Sequence, residues 1–119
     1  MTYRRLAAIS LGLAITSGAC AQSDAPPFVE KLIAKYKSIS SASSPGSVWQ
    51  YRYKGATVYY VPRLACCDIM SILYDASGKI VCRPDGGIAG SGDGKCPDFL
   101  ATRKEGRQLW TDPRVKSVQ

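Results

Sequence analysis

From residue 49 the chain alternates: Trp49, Tyr51 and Tyr53 against Gln50, Arg52 and Lys54, a period of two that predicts a β-strand with one apolar face. Lys54-Gly55 predicts a two-residue hairpin turn. Pairing Tyr53 with Ala56 sets Tyr51 opposite Val58 and Trp49 opposite Tyr60, so Trp49, Tyr51, Tyr53, Ala56, Val58 and Tyr60 share one face. The other face carries Arg52 opposite Thr57 and Gln50 opposite Tyr59, and Pro62 ends the second strand. Upstream, Phe28, Val29, Leu32, Ile33, Tyr36 and Ile39 fall on two adjacent rows at helical spacing, with Glu30, Lys31, Lys35 and Lys37 on the other sides. Pro27 suits a first helical position, which needs no N–H partner. The Ser38 to Ser47 run, with Pro45 and Gly46, ends the helix. The aromatic face of the hairpin is expected to pack on this helix.

The second half is less periodic. Met70 to Tyr74 and Lys79 to Cys82 predict a second hairpin around Asp75-Ala76-Ser77-Gly78, and Pro84 stops it. Gly86 to Gly94 is too glycine-rich for regular structure. Pro97 to Lys104 suggests a short helix with Phe99 and Leu100 turned inward, and Leu109-Trp110 a last anchored piece. The expected fold is α+β: one N-terminal helix packed on a small antiparallel sheet of about four strands, with two disulfides. It occupies residues 27–110, between a tether at 22–26 and a flexible tail at 111–119.

The N-terminus changes the context. Arg4 and Arg5 precede the apolar run Leu6 to Ile15, which is short of the roughly 20 residues of a transmembrane helix. Residues 1–21 therefore read as a signal peptide. Ala19-Cys20-Ala21 fits ordinary cleavage, releasing a soluble chain at Gln22. Ser17-Gly18-Ala19-Cys20 fits a permissive lipobox with Cys20 as the lipidated residue, although Ser17 stands where Leu is usual. The expected location is the periplasm, as an outer-membrane-anchored lipoprotein or a soluble periplasmic or secreted protein.

Either cleavage removes Cys20 and leaves Cys66, Cys67, Cys82 and Cys96, an even set suited to two disulfides in an oxidising compartment. A bond between the neighbours Cys66 and Cys67 would close a strained ring. In extended backbone neighbouring side chains point to opposite faces, so each is expected to reach a different partner, Cys82 or Cys96. A zinc site is the competing reading, opposed by the adjacent cysteines and the absence of His. Loss of Arg4 and Arg5 lowers the formal charge from +7 to +5. In an exported protein that balance fits solubility or an anionic envelope surface, not nucleic acid. Lys31, Lys35, Arg103, Lys104 and Arg107 are candidates for such a basic face, or for ordinary solvated helix faces.

Without His, no Ser-His-Asp or Cys-His catalytic arrangement exists. Asp75, Asp85 and Asp93 precede or neighbour Gly in turns, where Asx hydrogen bonding is the plain role. The Asp85 to Asp98 loop is the best functional candidate. Asp85, Asp93 and Asp98, with Asp68 drawn near by a disulfide, offer carboxylates for calcium, a hard cation that takes oxygen ligands. Their spacing matches no EF-hand loop. A protease-inhibitor loop is a further alternative, with Lys95 or Arg63 as the presented residue because Pro84 follows Arg83. Trp49, Tyr51 and Tyr53 are read as core in preference to a ligand-stacking platform.

Cys66-Cys67-Asp68, Leu73-Tyr74-Asp75 with Gly78, Cys82-x-Pro84-Asp85-Gly86-Gly87, and Gly90-x-Gly92-Asp93-Gly94-x-Cys96-Pro97-Asp98-Phe99 resemble a family of small exported bacterial domains of unknown function. The likeness covers Pro27 to Trp110. It implies export, often with a lipid anchor, and carries over no activity. The function expected is that of a monomeric, non-enzymatic envelope protein that binds a partner or has a structural task, with no cofactor. A calcium-stabilised exported module is the alternative.

Overall fold

The computed structural model describes residues 12–13, 25–62 and 68–116. Cys20, Cys66, Cys67 and Arg63, and the signal segment apart from Gly12 and Leu13, lie outside the described residues. Among those described, helix α1 (Pro27–Ser38) and a short 3-10 turn (Ser41–Ser43) precede strands β1 (Ser47–Tyr53), β2 (Ala56–Val61), β3 (Ile72–Tyr74) and β4 (Ile80–Cys82). A one-turn helix α2 (Phe99–Thr102) then leads into β5 (Lys104–Thr111). The fold is α+β, and its antiparallel sheet has five strands in the order β4-β3-β2-β1-β5.

The first hairpin has the register that alternation predicts: Trp49 faces Tyr60, Tyr51 faces Val58 and Tyr53 faces Ala56. Its turn places both Lys54 and Gly55 at positive φ, +49° and +78°, the backbone of the two-residue turn that matches strand twist. Pro27 opens α1, as its fixed φ favours.

The packing of the hairpin differs from expectation. Helix α1 does not cover the aromatic face. Val29, with Phe28, Leu32, Ile33 and Tyr36 around it, packs on Val48, Tyr59 and Val61, the opposite face. The aromatic face buries Tyr53, Val58 and Tyr60, with Trp49 and Tyr51 packed at its side, against Leu73, Phe99 and the Cys82 and Cys96 side chains. The reason lies in β2. Val58-Tyr59-Tyr60-Val61 is a continuous apolar run, the mark of a strand covered on both sides, and all four residues are buried. The molecule thus has three layers: helix, sheet, and a cover formed by α2 with the disulfide-bonded loop.

Strand β5 adds the fifth strand where the sequence suggested only an anchored Leu109-Trp110. It pairs with β1 through two register shifts, Glu105 sits at positive φ, and it carries Lys104, Glu105 and Arg107. Irregular, charged strands of this kind close a sheet edge against further pairing. Gly106 lies against the Tyr51 ring, where a Cβ would overlap it. Phe99 is fully buried as expected, but Leu100 faces outward.

The expected tail is also fastened. Asp112 is only 2 % exposed, and its N–H donates to the Gly46 carbonyl. Arg114 donates to both Asp112 carboxylate oxygens through Nε and a terminal nitrogen, at 2.9 and 2.7 Å. The same guanidinium donates to the Ile39 and Tyr36 carbonyls at 2.8 and 2.9 Å. Those carbonyls at the end of α1 have no intrahelical donor; a residue 75 positions away supplies one.

Candidate functional site

The loop after β4 is built by the sequence features that make it irregular. Cys82 bonds Cys96 across a sequence separation of 14, with Cα atoms 6.2 Å apart. This corrects the expectation that Cys82 and Cys96 reach back to Cys66 and Cys67. Cys82 ends β4 facing the aromatic layer, and Cys96 enters that layer just before Phe99, so the two sulfurs meet in one core. Among the described residues one disulfide is therefore found, and neither of its cysteines is left for Cys66 or Cys67.

Above the bridge the two loop arms run side by side. Asp93 N–H donates to the Arg83 carbonyl at 2.9 Å and Gly92 N–H to the Gly86 carbonyl at 3.0 Å, and Gly86 and Ser91 form a bridge. Gly92 is where the arms touch: its φ is +66°, and a Cβ there would collide with the Arg83 carbonyl oxygen. At the crest Gly90 N–H donates to the Gly87 carbonyl, closing a β-turn with Ile88 and Ala89 at its corners. Ile88 is 93 % exposed.

The three aspartates proposed as cation ligands have separate tasks. Asp93 folds back on its own loop, accepting from the N–H groups of Lys95 and Arg83, both at 3.0 Å. Those bonds, Lys95 first, hold its carboxyl below the ordinary carboxylate range. Asp85 and Asp98 flank the loop and accept from tyrosines of the sheet. Tyr60 Oη donates to Asp85 at 2.7 Å, and Tyr53 Oη to Asp98 at 2.6 Å. Buried tyrosines need such acceptors. Burial, and then the Asp85 bond, pushes the Tyr60 phenol far up; the Asp98 bond, and then burial, raises Tyr53. The Tyr53 hydroxyl in turn lowers Asp98. Asp85 is also tied through its backbone: Ser71, fully buried, donates N–H to the Asp85 carbonyl at 2.9 Å and accepts from Asp85 N–H at 3.1 Å. Asp75 plays the Asx role expected of it, accepting from Ser77 and Lys79. Among the described residues no group of three or more His, Cys, Asp or Glu side chains is arranged to hold a metal ion, so Asp85, Asp93 and Asp98 are not brought together, and Asp68 does not join them.

Phe99 is the floor of the site. The rings of Tyr53, Tyr60 and Tyr51 surround it at 5.3, 5.4 and 5.8 Å, two of them edge-on. Arg103 lies over the Tyr51 ring at 4.8 Å, a cation–π contact that turns it inward from the basic face proposed for it. Lys95 is exposed on the loop, while Lys31 and Lys35 stand exposed on α1. Beside the hairpin tip a mixed-charge cleft of about 480 Å³ separates Arg52, Lys54 and Lys104 from Asp98 and Glu105. Arg52 and Glu105 pair across it at 3.6 Å, so its charges largely answer one another.

Sequence reasoning missed Ile88, Ser71, and the roles of Tyr53 and Tyr60. A signal existed for two kinds of residue. Ile88 is the one large apolar side chain between Asp85 and Asp98, and two tyrosines on one face of the hairpin, opposite an aspartate-flanked loop, invite hydroxyl–carboxylate bonds. Nothing local marked Ser71.

The family model of a domain of unknown function (DUF6970) matches residues 34–112. The chain belongs to this family. The matched span starts inside α1 and takes in the whole sheet, the disulfide loop and Asp112. Comparison with curated proteins and with solved structures finds no match for the chain. Among the described residues, no helix is long and apolar enough to cross a membrane.

Proposed function

We propose that this chain is an exported, non-enzymatic binding module of the bacterial envelope that presents its Arg83–Lys95 loop to a partner protein. The observation that carries the reading is Ile88, an isoleucine 93 % exposed on the crest of a loop held by a disulfide and cross-arm hydrogen bonds. A large apolar side chain held in water on a rigid support gains by entering a partner's pocket. The loop is ordered beforehand, so little conformational freedom is lost on binding. The loop's aspartates satisfy their own fold and leave the apolar crest as the presented feature.

The β-turn at Gly87–Gly90 also favours this reading over an inhibitor that docks as a substrate, since protease clefts take extended segments. Lys95 follows a side-chain-capped turn at Asp93 and is no better suited. Cleavage at the signal segment and lipidation of Cys20 would place the loop at a membrane-tethered distance from envelope partners. Mass spectrometry of the mature N-terminus tests that part.

The test of binding is capture from envelope extract by the wild-type chain and by Ile88→Asp. Wild type is expected to retain a discrete partner that Ile88→Asp loses with its thermal unfolding unchanged. Identical capture by both proteins would refute the assignment of the loop.

A further inference from the structure

A second surface, remote in kind from the loop, is an apolar groove of about 240 Å³ where the end of α1 meets the sheet. Its apolar lining includes Tyr36, Ile39, Val61, Pro62, Ile69 and Ile72. Ile69 remains about half exposed on it. Beyond the Tyr36 hydroxyl, the polar side chains on its lining are Ser43 and one cation, Lys35. Lys35 is exposed and has no ion-pair partner among the described residues.

We propose that this groove binds a single-chain anionic amphiphile, a medium-chain fatty acid, with its tail against Ile39, Val61, Ile69 and Ile72 and its carboxylate at Lys35. Three features select that ligand. The volume lies below the roughly 300–1,000 Å³ of sites for drug-sized molecules, which suits one hydrocarbon chain and not a two-chain lipid. Beyond Lys35, the lining side chains offer only the Ser43 and Tyr36 hydroxyls to hydrogen-bond a peptide backbone. Its one charge is positive, is exposed and has no ion-pair partner among the described residues, which complements an anion at the end of an apolar chain. The proposal is independent of the loop reading, because none of its residues lies between Cys82 and Cys96.

The test is calorimetric titration of the purified full-length chain with hexanoate, octanoate and decanoate below micellar concentration, and with decanol as the uncharged probe. Saturable binding is expected to tighten by about fourfold per buried methylene across the carboxylate series. Lys35→Gln is expected to weaken decanoate several-fold and leave decanol unchanged. Ile69→Asp is expected to abolish both, with far-UV circular dichroism as in wild type. Absence of saturable binding, as follows if another part of the chain fills the groove, overturns the proposal. So does an affinity indifferent to chain length, a Lys35→Gln protein that binds decanoate as wild type does, or a dimer closed over the groove that decanoate does not dissociate.

Discussion

The two faces of one sheet are covered by different means. On one, α1 lays a periodic apolar stripe, Phe28, Val29, Leu32, Ile33 and Tyr36, on Val48, Tyr59 and Val61, and the ring of Tyr36 stacks on Trp110. On the other, an irregular segment with one turn of helix is made to fit by a disulfide, two tyrosine–aspartate bonds and a single buried phenylalanine. The helix satisfies most of its own backbone, with Arg114 answering carbonyls at its end, and otherwise needs only a face to bury. The loop must find a partner for every buried polar group, and does so with side chains fixed in sequence. Constraint of the second kind is costly to assemble, yet it yields a rigid crest with an exposed side chain that a helix face does not offer.

That contrast breaks most readily at Phe99. Phe99→Ala removes the floor on which Tyr51, Tyr53 and Tyr60 converge, and is expected to cost about 3–5 kcal/mol in urea unfolding. That is a large part of the roughly 5–15 kcal/mol that holds a domain. A loss below about 1 kcal/mol would mean that the loop cover contributes little to the core. Replacing both Cys82 and Cys96 by Ala is expected to cost about 3 kcal/mol, from the chain entropy of a loop of this length. Amide exchange should rise across Arg83–Lys95 well before it rises in α1. Uniform loss of protection over both faces would show that the two covers are not separable.

The helix face was legible in sequence and the loop face was not, for a physical reason. Periodicity records which side of a regular element is buried, so the stripe of α1, the hairpin register and the Lys54-Gly55 turn could be read directly. It did not say which partner covers which side. The run Val58-Tyr59-Tyr60-Val61 was the clue that both sides are covered, and alternation in β1 obscured it. The loop follows no period: its shape comes from Gly92 meeting the Arg83 carbonyl, and from long-range bonds such as Ser71 to Asp85. Glycine, aspartate and cysteine content marked the segment as constrained, but which cysteines and which acids pair depends on three-dimensional proximity. The Asp112–Arg114 clamp was hidden for the same reason, since its carbonyl acceptors at Tyr36 and Ile39 lie far away in sequence.

A smaller perturbation sharpens the comparison at single hydrogen bonds. Tyr60→Phe keeps the ring and removes the donor to Asp85, at an expected cost of about 1–2 kcal/mol. Tyr53→Phe is expected to cost less, because the Asp98 carboxylate it releases faces solvent. The order matters more than the sizes: urea midpoints that fall further for Tyr53→Phe would place the weight of the loop cover at the hairpin tip instead of at β2.

The smallest effect at neutral pH is the most selective. Asp93 and Asp98 on the loop side, Asp75 in the β3–β4 turn and Asp112 beside the helix are all held below their ordinary range, Asp98 chiefly by the Tyr53 hydroxyl and Asp112 chiefly by Arg114. A depressed carboxylate stabilises the fold fully above its unfolded value, about 3.9, and that share is lost as pH falls through the folded value. The alkaline side has the opposite sign. Burial, and then Tyr74, pushes the Tyr36 phenol up to about 12, so its contribution is complete below the unfolded value near 10 and is lost as pH rises toward 12. Stability should therefore be level between about pH 4 and 10 and fall on both sides. Asp98→Asn is expected to flatten the acid limb by the share of Asp98 and, through the Tyr53 phenol that Asp98 raises, part of the alkaline limb as well, whereas Tyr36→Phe is expected to flatten the alkaline limb alone. Urea midpoints measured across pH decide it: an acid limb for Asp98→Asn superimposable on wild type would remove the Tyr53–Asp98 bond from the forces that hold the loop, and leave that task to Phe99, the disulfide and the Asp85 contacts with Tyr60 and Ser71.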